Sequence, residues 1–184
     1  AVIGVAFAMG YDIEEICQAV AELTAVMGRM QSYSVAGKPC VVVDYAHTPD
    51  ALKNALQAVR KHCTGNVWCV FGCGGDRDTG KRPMMAAIAE AYADKIIVTD
   101  DNPRREDPES IVTDVMAGFK NSQSVRVIHD RREAIEDSIS SAEANDIILI
   151  AGKGHEDYQE IAGTRLNYSD IEVVEAYLNV GMSK

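Results

Sequence analysis

The feature that most limits the folds open to this chain is a recurring unit: a short, nearly continuous apolar run, a polar loop, then a helical pattern. Residues 40–45, 66–71, 96–98 and 146–151 carry apolar side chains at successive positions rather than at alternate ones. A strand solvated on one face alternates, whereas a strand covered on both faces does not. Such runs call for helices on both sides of a sheet, and the intervening stretches supply them. Thr48 with Pro49 opens a helix reaching about His62, a second spans about Lys81 to Ala93, and a third runs from Pro108 to about Ala117. Asp130 with Glu133, and Ser169 with Glu172, form capping boxes for two more. Strands are also expected near 30–35 and 125–128, and 158–161 with 165–168 read as a hairpin through Ala162-Gly163-Thr164. The alternation after residue 30 predicts an α/β fold, a doubly wound and mainly parallel sheet.

Before residue 30 the pattern is helical only. Residues 1–9 are apolar nearly all round, like the end of a buried helix, and Gly10 stops them. A second helix is expected from Asp12 to about Met27, with Ile13, Ile16, Val20 and Leu23 at helical spacing and Gly28 ending it. The change of pattern places a domain boundary near residues 28–33. The chain starts in mid-pattern and without Met, like the tail of something longer, and 184 residues suit one full domain plus a remnant of another.

A net charge of -10 argues against nucleic acid or an anionic membrane surface as a partner, since both select a basic face. The apolar runs are too short to span a bilayer, and no signal-peptide pattern occurs. Five cysteines, with Cys69 and Cys73 separated by three residues, spell neither a zinc set nor a redox pair. They read as buried thiols in a reducing cytosol, so the expected location is cytoplasmic and no metal site is expected.

Ligands in open α/β sheets sit beyond the carboxyl ends of the strands, and four loops here occupy that position. Residues 98–108 (Val-Thr-Asp-Asp-Asn-Pro-Arg-Arg-Glu-Asp-Pro) offer carboxylates, an amide and guanidiniums. That mixture suits a molecule with amino and carboxylate ends, because Arg forks onto carboxylate while Asp and Asn accept from an ammonium. A solvated, proline-stiffened connection fits these residues equally well.

In residues 44–50, Asp44 could bond a ribose and His47 could meet a phosphate at a helix start, although simple capping by Thr48 explains the spacing better. Residues 72–82 contain two near-matches to nucleotide motifs. Arg77 stands where a dinucleotide fingerprint needs its third glycine, and Arg82 replaces the Ser or Thr of a phosphate loop. Arg77, flanked by Asp76 and Asp78, reads instead as a guanidinium held by its neighbours and aimed at a carboxylate, with a local ion-pair cluster as the alternative. In residues 152–157, glycines permit close backbone approach and Glu156 could receive an ammonium, although a plain turn also fits. His155 invites a general-base reading but has no nucleophile partner in the sequence.

Taken together, Gly28-Arg29-Met30, Asp44 to Pro49, Gly72 to Pro83, Asp101-Asn102-Pro103-Arg104 and Gly152 to Glu156 occur in the order found in Mur ligases. The chain resembles that family along its whole length, and within it the branch that adds meso-diaminopimelate to UDP-N-acetylmuramoyl-L-alanyl-D-glutamate. The resemblance implies a Rossmann-like C-terminal ligase domain over 29–184, preceded at 1–28 by the last helices of a central ATPase domain. It implies peptidoglycan-precursor synthesis, in which ATP phosphorylates a D-glutamyl carboxylate and an amine attacks the acyl phosphate.

By matched position, Arg77, Asn102, Arg104, Gly152 and Glu156 would hold diaminopimelate, with Asp101 supporting the loop; Arg29, Asp44 and His47 would close on ATP. Arg104 selects diaminopimelate over lysine, which lacks the second carboxylate and would leave a guanidinium unpaired. Sites of that kind discriminate by roughly 10⁴ or more. The phosphate loop, the Mg²⁺ ligands and the UDP-binding domain would lie upstream, so residues 1–184 alone are expected to be inactive and to hold no catalytic group. The loop carrying Arg104 is expected to be partly mobile before closure. A lysine-adding or folylpolyglutamate-type ligase domain, or a non-catalytic nucleotide-binding module, are the alternatives.

Overall fold

A computed structural model describes residues 2–21 and 26–180 of the chain. Helices α1 (Val2–Ala8) and α2 (Ile13–Ala21) come first, then β1 (Gln31–Tyr33), β2 (Cys40–Asp44), α3 (Pro49–Arg60), β3 (Val67–Phe71), α4 (Lys81–Tyr92) and β4 (Lys95–Val98). They are followed by α5 (Pro108–Met116), β5 (Val125–Val127), α6 (Arg131–Ser141), β6 (Ile147–Ala151), β7 (Tyr158–Ile161), β8 (Thr164–Asn167) and α7 (Asp170–Leu178). Strands β1 to β6 form one sheet in the order β1-β2-β6-β3-β4-β5, in which only β1 runs antiparallel to its neighbour. The hairpin β7–β8 stands apart from it.

The apolar runs become strands covered on both faces because successive side chains point to opposite sides. On one face Val42, Cys69, Phe71 and Leu149 meet Leu52, Leu56 and Val59 of α3, Met85 and Ala89 of α4, and Ile111 and Val115 of α5. On the other, Val41, Val43, Val70, Ile148 and Ile150 meet Ile135 and Ile139 of α6 and Val173 and Leu178 of α7. Each such side chain contributes about 1.5–3 kcal/mol on burial. The arrangement is a Rossmann-like three-layer domain. Three helix starts are capped as the sequence suggests, by Thr48 on Ala51 N, Asp130 on Glu133 N and Ser169 on Glu172 N, and a fourth is capped by Asp107 on Glu109 N. A buried ion pair joins α6 to α7 within one layer: Arg131 Nε and Nη2 each donate at 2.8 Å to Asp170, and Nη2 also reaches the Ala151 carbonyl of the sheet at 3.1 Å.

The sequence expectations need several corrections. Within the apolar segment 1–9, Val2–Ala8 forms a helix, but Val2, Val5, Phe7 and Met9 are exposed rather than buried. The second helix is described only to Ala21, and its expected continuation through Leu23 falls on residues 22–25, outside the described residues. A 3-10 turn at Ser122–Ser124 precedes β5. Of the cysteines, Cys69 and Cys73 are buried, but Cys17 on α2 is exposed and Cys40 and Cys63 are half-buried. Among the described residues, no helix is long and apolar enough to cross a membrane.

Candidate functional site

The loops leaving β2, β3, β4 and β6 converge on a cleft of about 540 Å³ beyond the carboxyl ends of these parallel strands. Arg77, Asp101, Asn102, Arg104, Gly152 and Glu156, six residues drawn from three loops, all line it, and His47 lines it from a fourth. Arg29 and Asp44 are not part of that lining.

The loop after β4 is the most heavily anchored. Asn102 is buried, its Oδ1 accepting from Lys153 Nζ and Glu160 N at 2.9 Å each, and its Nδ2 donating to Glu156 Oε2 at 3.0 Å. Arg104 adopts a left-handed backbone (φ 55°), unusual for a side chain of this kind. Its N–H bonds the Glu160 carbonyl at 2.9 Å, so an isolated parallel bridge between Arg104 and Ile161 joins the loop to the edge of the β7–β8 hairpin. Gln159 donates to the Asp101 carbonyl at 2.8 Å. Upstream, His129 lies between Asp100 (Nδ1 to Oδ1, 2.9 Å) and Glu109 (Nε2 to Oε1, 3.1 Å). Burial alone would lower the His129 pKa, but the two carboxylates outweigh it and hold the imidazole above its usual range. The loop is thus tied at both ends.

The loop after β3 packs against it backbone to backbone. A Cβ on Gly75 would stand 2.0 Å from the Pro103 carbonyl oxygen, and Gly75 N donates to the Asn102 carbonyl at 2.9 Å. Arg82, the residue that breaks the phosphate-loop pattern, is buried beneath both loops. It donates to Asp114 (2.9 Å), to Glu106 (3.0 and 2.8 Å) and to the Gly74 carbonyl (3.3 Å). Arg77 corrects one expectation: Asp76 and Asp78 accept from the backbone of Arg105 and Gly80 instead of holding its guanidinium. No ion pair with Arg77 or Arg104 occurs among the described residues. Arg104 Nη1 does bond the Gly75 carbonyl at 2.8 Å. The cleft therefore presents two guanidiniums without a carboxylate partner.

Beneath Glu156 lies Lys153, fully buried, although the sequence alone suggests no more than a turn there. Burial pulls its pKa down, against the pull of Asp101 and Glu156. Its place between two glycines at the end of a strand covered on both faces is the available signal, because a side chain there has only the interior to enter. At the cleft's edge, Tyr45 carries Arg29 over its ring (Cζ 4.6 Å from the centroid) and packs against His47 and His155 at 4.6 and 5.6 Å. Asp44 faces elsewhere: it is buried and accepts from Met30 N at 2.8 Å and Ala46 N at 2.9 Å, which makes it a brace between β2 and the entry to β1. His155 is exposed, and Cys73, in the β3 loop, has its thiol pushed up to about 12 by burial, so it is no thiolate at neutral pH. Gly28 touches the backbone of Gly154 and His155, where a Cβ would approach within 2.2 Å. Among the described residues no cluster of three or more His, Cys, Asp or Glu could hold a metal ion.

A second cleft of about 420 Å³ lies at the amino ends of the strands. There Asp146 accepts from Trp68 Nε1 at 2.9 Å and from Asn66 N at 2.7 Å, which leaves little free polar capacity.

Comparison with known proteins agrees with this arrangement. The family model described as "Mur ligase, glutamate ligase domain" matches residues 28–154. A solved UDP-N-acetylmuramoyl-L-alanyl-D-glutamate–2,6-diaminopimelate ligase is 45% identical, with a TM-score of 0.80, over 98% of this chain and 37% of its own. The UDP-N-acetylmuramate-alanine ligase of Thermotoga maritima shares the fold at 21% identity and a TM-score of 0.64, over 97% of this chain and 35% of its own. So does the folylpolyglutamate synthase of Mycobacterium tuberculosis, complexed with ADP and AMPPCP, at 24% identity and a TM-score of 0.58, over 78% and 33%. The chain thus spans about a third of the length of these relatives. With its family match, its parallel sheet and its four-loop cleft, the chain belongs to the Mur ligase family and carries that family's glutamate ligase domain.

Proposed function

We propose that this chain is the amino-acid-binding part of a cytoplasmic ATP-dependent ligase. The enzyme would join meso-diaminopimelate to the D-glutamyl carboxylate of UDP-N-acetylmuramoyl-L-alanyl-D-glutamate in peptidoglycan-precursor synthesis. The observation that carries the reading is the meeting of Arg77 and Arg104, without carboxylate partners among the described residues, with Asn102, Gly152 and Glu156 in one cleft. Two guanidiniums together with a carboxylate and a backbone carbonyl match a ligand with two carboxylates and an ammonium. The 45% identical relative is itself a 2,6-diaminopimelate ligase, which supports the same amino acid here. Residues 1–28 would belong to a preceding ATPase domain and 29–184 to the ligase domain.

The cleft's edge fits a nucleotide in part. Arg29 stacked on Tyr45, with His47 beside it, offers a cation and aromatic faces to ATP. Asp44, with both carboxylate oxygens engaged by backbone, fits a ribose less well. ATP bound with Mg²⁺ would supply the activated carboxylate. This chain's own work is to hold the amino acid: Arg77 and Arg104 by its carboxylates, Glu156 and the Gly152 carbonyl by an ammonium, so that the other amine meets the activated carbon at a fixed distance.

The test is ATP-dependent phosphate release by the full-length protein with the UDP-muramoyl dipeptide and either meso-diaminopimelate or L-lysine. Turnover with diaminopimelate only, and a loss of about a hundredfold or more in kcat/KM for Arg104→Ala, is expected. Equal use of lysine, or a harmless Arg104→Ala, would overturn the substrate assignment.

A further inference from the structure

We propose that Lys153 is the positioning residue of this cleft: a buried cation that fixes the ammonium-accepting floor and limits its net charge to one negative. The inference rests on the proposed function and names what sets its preference for ligand charge. An ammonium has three donors and no acceptor. Two of the Lys153 donors are used at 2.9 Å each, on Asn102 Oδ1 and on the Tyr158 carbonyl. The third faces two carboxylates, Asp101 Oδ1 at 3.2 Å and Glu156 Oε2 at 3.7 Å. Neither contact closes into a hydrogen bond, and Asp101 Oδ1, buried, has no other donor among the described residues. The rings of Tyr158 and Tyr168 lie 5.8 and 5.9 Å from Nζ and complete its enclosure.

Two consequences follow for residues that line the cleft. The first concerns orientation. Asn102 could present either end of its amide, but with Lys153 and Glu160 N both donating to one atom, that atom must be the oxygen. Its NH₂ then has to face Glu156, which it does at 3.0 Å. Lys153 thereby sets the direction of the Glu156 carboxylate without touching the ligand.

The second concerns charge. Asp101 and Glu156 with Lys153 between them leave one negative charge, enough for one ligand ammonium. Without the lysine the same floor would carry two like charges and would favour a more cationic ligand. In the proposed function Arg77 and Arg104 act on carboxylates and not on the ammonium, so the two controls are separable.

The experiment compares Lys153→Gln, Lys153→Met and Lys153→Arg in the full-length ligase, measuring KM for meso-diaminopimelate and Ki for L-lysine, which carries one more positive charge. Gln can still donate to Asn102 and Tyr158 but brings no charge, so it carries the test if the Met variant does not fold. The expected result is a shift of about tenfold in the lysine-to-diaminopimelate ratio, toward lysine, in Gln and Met, with the ratio kept within about twofold in Arg. A lysine that merely supports the fold would weaken both ligands together. An unchanged ratio in Gln therefore overturns the inference while leaving the ligase assignment intact. A wild-type enzyme that does not use diaminopimelate overturns the assignment itself.

Discussion

Replacing Gly75 by alanine is the sharpest steric test of how the cleft is held. Gly75 does not have a positive φ, so an alanine brings no backbone strain and the effect is purely one of space. The new Cβ would stand 2.0 Å from the Pro103 carbonyl oxygen, and Cβ contacts under 3.0 Å essentially do not occur. The loops after β3 and β4 must therefore part by about 1 Å. That movement stretches Gly75 N to the Asn102 carbonyl (2.9 Å) and Arg104 Nη1 to the Gly75 carbonyl (2.8 Å). Overpacking costs about 1–3 kcal/mol, and the two weakened bonds about 1 and 1.5–3 kcal/mol if wholly lost. Because the loops separate partly, about 3 kcal/mol in all is the working figure, or a fall in Tm of about 6–12 °C for a chain of this size. A shift of about 1 Å between Arg77 and Arg104 would also cost about a hundredfold in kcat/KM. Gly37→Ala is the control: its φ is 79° and nothing lies within 4 Å of its Cβ, so it should cost about 1–2 kcal/mol of backbone strain and leave ligand use unchanged. Thermal unfolding followed by circular dichroism, with steady-state kinetics of the full-length protein, decides the matter. A Gly75→Ala protein that melts within about 2 °C of wild type with unchanged KM would refute the loop-to-loop contact as the site's support.

Other consequences are as open to measurement. The His129 pKa is raised in the folded chain, so its contribution to stability is full below the unfolded value of about 6.5 and is lost as pH rises through the folded value. The stability difference between wild type and His129→Gln, read by urea unfolding, should shrink across that window, and a difference independent of pH would exclude the clamp. Arg131→Met leaves Asp170 fully buried without its ion pair and should cost about 3–5 kcal/mol, much of it recovered by Arg131→Met with Asp170→Leu. If the double variant is no more stable than the single one, the pair is not what makes the single change costly. Leu56→Ala opens the core between α3 and the sheet and should cost about 2–5 kcal/mol in chemical denaturation, a loss below about 1 kcal/mol being incompatible with the packing described.

The elements are legible in the sequence because strands covered on both faces leave an unambiguous record: 40–44 and 147–151 read as strands from composition alone. The strand order is not legible. β6 inserts between β2 and β3, pairing Val42 and Cys69 with Leu149, and nothing local in either segment specifies a partner so far along the chain. The cleft-lining residues can be found because loops at strand ends concentrate them, whereas the reasons they hold still cannot. Arg82 stands out in the sequence only as a failed motif position, yet its buried guanidinium joins Glu106, Asp114 and the Gly74 carbonyl. The brace from Asp44 to Met30 N escapes the sequence because it exists only once β1 lies beside β2. Lys153 escapes notice since a lysine in a glycine turn is ordinarily solvated, and its burial depends on the hairpin that follows.

The contact between Gly28 and Gly154 has a mechanical meaning. With no side chains between them, the two backbones meet directly, so the position of residue 28 is registered on the turn that leads to Glu156 without a soft side chain in between. A displacement of Gly28 would therefore be felt at that turn directly. A bulky residue at either glycine would act as a wedge that forces the two backbones apart.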